Sequence, residues 1–250
     1  MFNFFAKEAA DTDGRFYISG SDHNHIKNVL RMKQGEEFLI SIDGKSHLCA
    51  LESLDESTCV AKIICENYQS TELPVYIHLF QGLPKADKME LIIQKCTELG
   101  VSEITPVEMR NCVVKLEEKK KKSKTERWQA IAESAAKQSK RNLVPTVNTP
   151  LSFASVIAKT DEFDLFLVPY ESEDGMKNTK EALAKIRNGS RIAILIGPEG
   201  GFDEKEIEKC KERNTSTVSL GKRILRTETA AITSVGMCML YAETKLKGED

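Results

Sequence analysis

From Pro74 onward the sequence is a succession of short apolar runs, each followed by a polar turn and then an amphipathic stretch. The run Arg191 to Ile196 contains IAILI, five consecutive apolar residues with no alternation. A strand of that kind is buried on both faces, which happens in parallel sheets covered by helices. Val75 to Phe80, Glu103 to Glu108, Phe163 to Val168 and Thr217 to Leu220 supply further strands. Helices are expected from Asp87, where Glu90 completes a capping box, and from Asp203, with Glu206 three residues on. In the first, Met89, Ile92, Ile93, Cys96 and Leu99 fall at the helical period, and Gly100 closes it. A third runs from Thr125 to Lys140, with Trp128, Ile131, Ala132, Ala135 and Ala136 on one face. Alternating strands and helices give an α/β domain, expected over 74–246.

The first seventy residues read differently. Glu37 to Ile42 alternates and meets Asp43-Gly44, a hairpin signal, before Lys45 to Leu51. Thr58 to Cys65 is another strand, and Ser21 to Leu30 a capped helix. Several short strands around one helix suggest a small β-barrel module over 1–70, with Glu66 to Pro74 as the linker.

Composition narrows the setting. Seven scattered cysteines with no C-x-x-C pair argue for reduced thiols in a cytoplasmic protein, against a disulfide framework or a zinc site. His23 and His25 have no matching Cys/His set and are read as surface or RNA-facing. The N-terminus lacks the basic flank and apolar run of a signal peptide. Ala230 to Ala242 is apolar but shorter than the ~20 residues of a membrane span. Such a helix is either sandwiched in the core or packed on a second subunit, and a homodimer is expected. Net charge is −2, yet Arg110 to Arg141 holds eleven Lys/Arg against four Asp/Glu, a local +7 that leaves −9 elsewhere. One positive patch on an acidic body attracts phosphates. The run Lys115 to Lys124 by itself reads as a solvated loop.

Ligands of open α/β sheets bind beyond the carboxyl ends of the strands. Three such ends are unusual: Val168-Pro169-Tyr170, Gly197 to Phe202 (GPEGGF), and Gly221 to Glu228 (GKRILRTE). The glycine-rich turn matches neither a phosphate-binding P-loop nor a dinucleotide fingerprint. It has a purely structural reading, because tight turns need glycine, beside a reading in which exposed main chain receives a flat ligand. In the third loop Ile224 and Leu225 are wedged among Lys222, Arg223 and Arg226. That makes poor surface and sensible pocket lining, with Thr227 free to cap the following helix.

Taken in order, KADKMELIIQKCTELGV (Lys85 to Val101), GPEGGF and LGKRILRTETA (Leu220 to Ala230) resemble the ribosomal RNA small subunit methyltransferase E family of the SPOUT class. The resemblance implies a trefoil-knotted parallel-sheet domain preceded by a small PUA-like β-barrel domain. It implies a homodimer that uses S-adenosylmethionine and no metal to methylate N3 of a uridine in 16S rRNA, within the small ribosomal subunit. By motif, Pro169, Gly197, Glu199, Gly200, Gly201, Leu220, Gly221, Ile224, Leu225, Thr229 and Ala230 are expected at the cofactor. Arg226 is expected to stabilise charge on the uracil as the N3 proton leaves. Glu199 or Glu228 would serve as base, or brace the loop and the helix N-terminus. RNA contacts are expected from Arg15, His25, Arg31, Gln138, Arg141 and Arg223; Glu133, Gln138 and Arg141 lie in a family-like stretch that departs from the family's frequent glycine at Lys140. Two other readings stay open: a non-catalytic ribosome-assembly factor, and a methyltransferase of the same class acting on another RNA.

Overall fold

The computed structural model describes residues 1–85, 87–171 and 175–246, which form two compact units. The first comprises Met1–Glu72 and Ala136–Leu143; the second comprises Leu73–Ala135 and Val144–Asp250.

The first unit is a five-stranded sheet. Its strands are β1 (Asn3–Phe5), β2 (Arg15–Ser19), β3 (Glu37–Ile42), β4 (Lys45–Leu54) and β5 (Thr58–Cys65), in the order β1-β3-β4-β5-β2. The expected hairpin joins β3 to β4, with positive φ at both Asp43 (48°) and Gly44 (77°), the turn whose twist matches its strands. Phe4, Phe16, Ile26, Phe38, Ile40, Leu51, Cys49 and Cys59 form its core. The helix expected over Ser21 to Leu30 is a short α1 (Gly20–Asn24) that continues as π-helix over His25–Leu30, and Ser19 makes no side-chain cap.

The segment 136–143 is bound into this unit by polar contacts. The Glu72 carboxylate accepts from the Arg141 guanidinium and from the Asn142 and Leu143 amides, and Asn3 Nδ2 donates to the Arg141 carbonyl at 2.8 Å.

The second unit is a wholly parallel sheet. It contains β6 (Tyr76–Gly82), β7 (Glu103–Glu108), β8 (Thr146–Val147), β9 (Leu151–Ser152), β10 (Leu165–Pro169), β11 (Arg191–Ile196) and β12 (Ser216–Val218). Their order is β12-β10-β11-β6-β7-β8, with β9 also on β7. Its helices are α2 (Lys88–Glu98), α3 (Glu118–Gln138, running into the other unit), α4 (Phe153–Ile157), α5 (Lys177–Leu183), α6 (Glu204–Lys211) and α7 (Thr227–Lys245). Ile192 to Leu195 are fully buried, as the unalternated run requires. α7 packs on α2, β6 and β11 through Ala231, Val235, Cys238 and Ala242.

Three local expectations are corrected. Lys119 to Lys124 are helical, because α3 begins at Glu118; Lys121 pairs with Glu118 and Glu108, and Lys120 with Glu117. Asp87 makes no side-chain cap at α2, because its backbone (φ −86°, ψ 5°) is not the extended one an N-cap adopts, and Glu90 pairs with Arg127 instead of closing the box. His23 is buried with its ring on the Asp55 carbonyl, whereas His25 is exposed beside Phe4.

At the amino ends of β6, β7 and β11 lies a buried polar cluster. Tyr76 and Asn148 donate to Glu103, His78 Nε2 is 2.7 Å from Thr105 Oγ1, and Arg191 lies over the Tyr76 ring. Burial pushes His78 down to about 4 against the pull of Glu103. Burial works to raise the Glu103 carboxyl, but the Tyr76 and Asn148 hydrogen bonds outweigh it and hold the group below its ordinary value. Both shifts make the unfolded chain the better proton binder, so both stabilise at neutral pH. The His78 contribution is complete above its unfolded value of about 6.5 and fades as pH falls toward 4; that of Glu103 is lost lower still. Urea unfolding should therefore show stability falling by roughly 2 kcal/mol between pH 6.5 and 4, and His78→Gln should flatten the slope. An unchanged slope in that variant would remove His78 as its source.

Candidate active site

Loops from the carboxyl ends of β10, β11 and β12 converge on one place. After β11 the chain runs Gly197-Pro-Glu-Gly-Gly-Phe202 and enters α6 through the expected capping box. The Asp203 side chain accepts from the Lys205 amide, and Glu206 accepts from the Asp203 amide at 3.0 Å. The turn is held from the side by the chain after β7. Asn111 Nδ2 donates to the Gly200 and Gly201 carbonyls at 3.3 Å, while the Arg110 amide donates to Glu206 at 3.0 Å. A Cβ on Gly200 would sit 3.0 Å from Asn111, so this close approach needs glycine.

Thr227 does not cap α7. Arg226 is the N-cap and makes no side-chain cap bond. The buried Thr227 hydroxyl instead donates to the Gly197 carbonyl at 2.7 Å and accepts from Gln81 Nε2 at 2.9 Å. One hydroxyl thus joins the end of β6, the glycine-rich turn and the start of α7.

Between these loops is a cavity of about 560 Å³, lined by Pro169 to Glu171, Ile196 to Phe202, Ser219 to Gly221, Arg223 to Thr227, Ala230 and Lys88. Tyr170 and Phe202 meet edge to face at 6.3 Å in its wall. The main-chain groups of Leu220, Ile224 and Leu225 make no hydrogen bond among the described residues, which leaves donors and acceptors for a ligand. Exposed main-chain polar groups beside the apolar surfaces of Tyr170, Phe202, Leu220 and Leu225 suit a flat heteroaromatic ligand such as a nucleoside.

The comparisons with known proteins agree with this geometry. A model of an RNA methyltransferase domain matches residues 71–239, and one of an RNA methyltransferase PUA domain matches 18–64. The chain is similar to the ribosomal RNA small subunit methyltransferase E of Bacillus subtilis, 38% identical over 247 residues, 97% of this chain and 96% of that one. It is similar to the protein of that name from Mesomycoplasma hyopneumoniae, 32% identical over 96% of this chain and 99% of the other. Among solved structures it resembles the Neisseria gonorrhoeae ribosomal RNA small subunit methyltransferase E bound to S-adenosylmethionine. The TM-score is 0.83 and the identity 30%, over 96% of this chain and 97% of that one. The chain belongs to the ribosomal RNA small subunit methyltransferase E family.

Of the residues expected at a cofactor in this family, Pro169, Gly197, Glu199, Gly200, Gly201, Leu220, Gly221, Ile224, Leu225 and Ala230 line the cavity. Thr229 does not; it is exposed on α7. Ile224 is 83% exposed at the rim. Arg226 and Arg223 both line the cavity and make no ion pair among the described residues, so both are available to an anionic partner. Glu199 and Glu228 share a third residue, Lys88, whose Nζ lies 3.2 Å from each carboxylate. Sequence reasoning missed Lys88, although it sits inside the KADK motif; charge alone on a helix start gives no hint of a partner 140 residues away.

The residues expected on RNA lie in the first unit, apart from Arg223. Arg31 and Gln138 are exposed, as is His25. Arg15 is engaged with Glu52 and Asp13. Arg141 is 3% exposed and spends its guanidinium on Glu72, which makes it a brace for the 136–143 segment and not a free phosphate contact.

Thr227→Val keeps the side chain's shape and strips both hydrogen bonds, orphaning the Gly197 carbonyl. Urea unfolding should register a loss of roughly 1–3 kcal/mol, most of it recovered in Thr227→Ser. Equal stability of the valine variant would refute the linking role.

Proposed function

We propose that the protein transfers a methyl group from S-adenosylmethionine to N3 of a uridine in 16S ribosomal RNA of the small subunit, acting in the cytoplasm as a homodimer. The observation that carries this reading is the juxtaposition of a main-chain-rich, glycine-punctuated cavity with arginines that make no ion pair among the described residues, in a chain of this family. Pro169, Gly197, Gly200, Leu220, Gly221 and Leu225 would hold the nucleoside, with Tyr170 and Phe202 closing the apolar wall. The cofactor supplies an already activated methyl on a sulfonium, so no metal is called for.

The chain's own part is positioning and charge. Methylation at N3 requires that nitrogen's proton to leave, which puts negative charge on the flanking carbonyl oxygens. Arg226, at the cavity edge and free of any acidic partner among the described residues, stabilises that charge. Glu199 and Glu228 act as braces in this reading. Burial works to raise the Glu199 carboxyl, but the Lys85 amide and the Lys88 ammonium hold it below its ordinary value, which makes it a poor base. The N3 proton passes to water. Arg223 at the rim, with Arg31, His25 and Gln138 on the PUA-like unit, would meet the RNA backbone, and the target base must be splayed out to enter the cavity.

The dimer is supported by an apolar groove between α7 and the end of α5, where Leu183, Gly236, Met237, Leu240 and Tyr241 are left partly or wholly uncovered. The knot belongs to the same reading; α7 starts beneath the Gly197 turn and packs on β6 and β11, as a chain end tucked behind a loop would. No helix among the described residues is long and apolar enough to cross a membrane.

Primer extension tests the function, since an N3 methyl blocks the pairing face and halts reverse transcriptase. Protein plus S-adenosylmethionine should create one new stop on unmethylated small subunits. Arg226→Ala should slow its appearance about a hundredfold, with cofactor affinity little changed. No stop on either free RNA or assembled subunits would exclude the reaction, and RNA binding indifferent to cofactor would point to an assembly factor.

A further inference from the structure

Three chain segments meet at one ammonium on the cavity wall. Lys88 is the first residue of α2, Glu199 stands in the glycine-rich turn after β11, and Glu228 lies in the first turn of α7. Lys88 Nζ is 3.2 Å from Glu199 Oε1 and 3.2 Å from Glu228 Oε2, and Glu199 Oε1 also accepts the Lys85 amide at 2.9 Å. The three side chains are 29%, 23% and 14% exposed, so the contacts are partly shielded from water.

The placement is informative because it runs against a local preference. A cation in the first turn of a helix faces the positive end of the helix dipole and is disfavoured there, whereas Glu228 at the start of α7 is favoured. Lys88 sits in the wrong place for α2 and the right place for two carboxylates on other elements. Remove the ammonium and those carboxylates face each other across the gap it filled, with like charges that repel.

We propose that Lys88 is a positioning residue for methyl transfer: its ammonium neutralises the carboxylates of the glycine-rich turn and of the start of α7, which would otherwise push those two segments apart, and thereby keeps the wall that holds the cofactor in place. This rests on the reading that the cavity takes S-adenosylmethionine. The close approach of Glu228, more than that of Glu199, raises the Lys88 ammonium above its ordinary value, so it stays charged at neutral pH. The arrangement also explains how Glu199 can be anchored without lying on regular structure. Its turn is stitched on one side by Asn111 and on the other by Lys85 and Lys88, and Thr227 fixes the turn's start.

Four proteins test it: wild type, Lys88→Met, Lys88→Arg and the double variant Lys88→Met/Glu228→Gln. Binding of S-adenosylhomocysteine is measured by calorimetry at pH 7.5 and 5.5, and thermal melting is followed without ligand. At pH 7.5 Lys88→Met should bind about tenfold more weakly, a modest figure set by the partial exposure of the pairs. The defect should shrink as pH is lowered to 5.5, since two neighbouring carboxylates with no cation between them hold a shared proton more readily, while wild type changes little over the same interval. Lys88→Arg and the double variant should bind within about threefold of wild type, since one restores the cation and the other removes the repulsion. Without ligand, the double variant should melt above the single one. Wild-type affinity in Lys88→Met, or a defect that neither low pH nor Glu228→Gln relieves, overturns the proposal. If wild type itself gives no heat, the cofactor reading falls, and the ligand-free melting order still decides whether Lys88 holds the two carboxylates together.

Discussion

The Thr227 hydroxyl is the contact on which the geometry of the cavity rests. It takes a hydrogen from Gln81 at the end of a central strand and gives its own to the Gly197 carbonyl, where the glycine-rich turn departs. A turn with three glycines has little stiffness of its own. Pinning its first carbonyl to the first residue of a long, well-packed helix transfers the rigidity of the sheet to it. The same hydroxyl is then unavailable as a helix cap, and α7 begins without a side-chain cap. Local helix stability has been given up for a fixed site, and α7 recovers it by burying Ala231, Val235, Cys238 and Ala242 against α2, β6 and β11.

Legibility in the sequence followed the range of the interactions involved. Strands buried on both faces announce themselves in apolar runs, and Arg191 to Ile196 and Glu103 to Glu108 have the expected bounds, as does the alternating strand Thr58 to Cys65. Asp43-Gly44 specifies its turn through two adjacent backbones and nothing else. The capping-box pattern shows where this logic stops. At Asp203 and Glu206 it is formed, but at Asp87 and Glu90 the same spacing fails: Asp87 lacks the extended backbone of an N-cap, and Glu90 is paired with Arg127 on another helix. Lys119 to Lys124 look like a self-repelling loop until Glu108, Glu117 and Glu118 are placed beside them. In each miss a pairing or a backbone geometry that the spacing rule leaves out decided the outcome.

The candidate site divides the same way. Its main-chain portion was marked by glycine-rich turns at strand ends, which composition alone left open to a structural reading; the lining residues came from the family resemblance, and all but one of them meet at the cavity. Thr229 is the exception because α7 begins two residues earlier, at Thr227, and carries position 229 round to solvent. Its charged portion was half readable. Arg226 and Arg223 stand out as cations beside apolar residues, but the pairing of Glu199 with Glu228 through Lys88 depends on three loci far apart in the chain.

That charge arrangement has its own logic. Beside the cavity Glu199 and Glu228 share one lysine, and the lining arginines are left without acidic partners among the described residues. A free carboxylate at this spot would have repelled the phosphates of an approaching RNA and tied up Arg226 or Arg223 in an ion pair. By assigning the lysine to the glutamates, the fold keeps the guanidinium groups for the substrate and still retains the glutamates as anchors for the loop. Lysine suits the first task because a compact ammonium bridges two separate oxygens on different elements, and arginine suits the second because its planar fork matches a carbonyl or phosphate edge. Which cation stands where is therefore part of how the cavity discriminates between bracing itself and meeting its substrate.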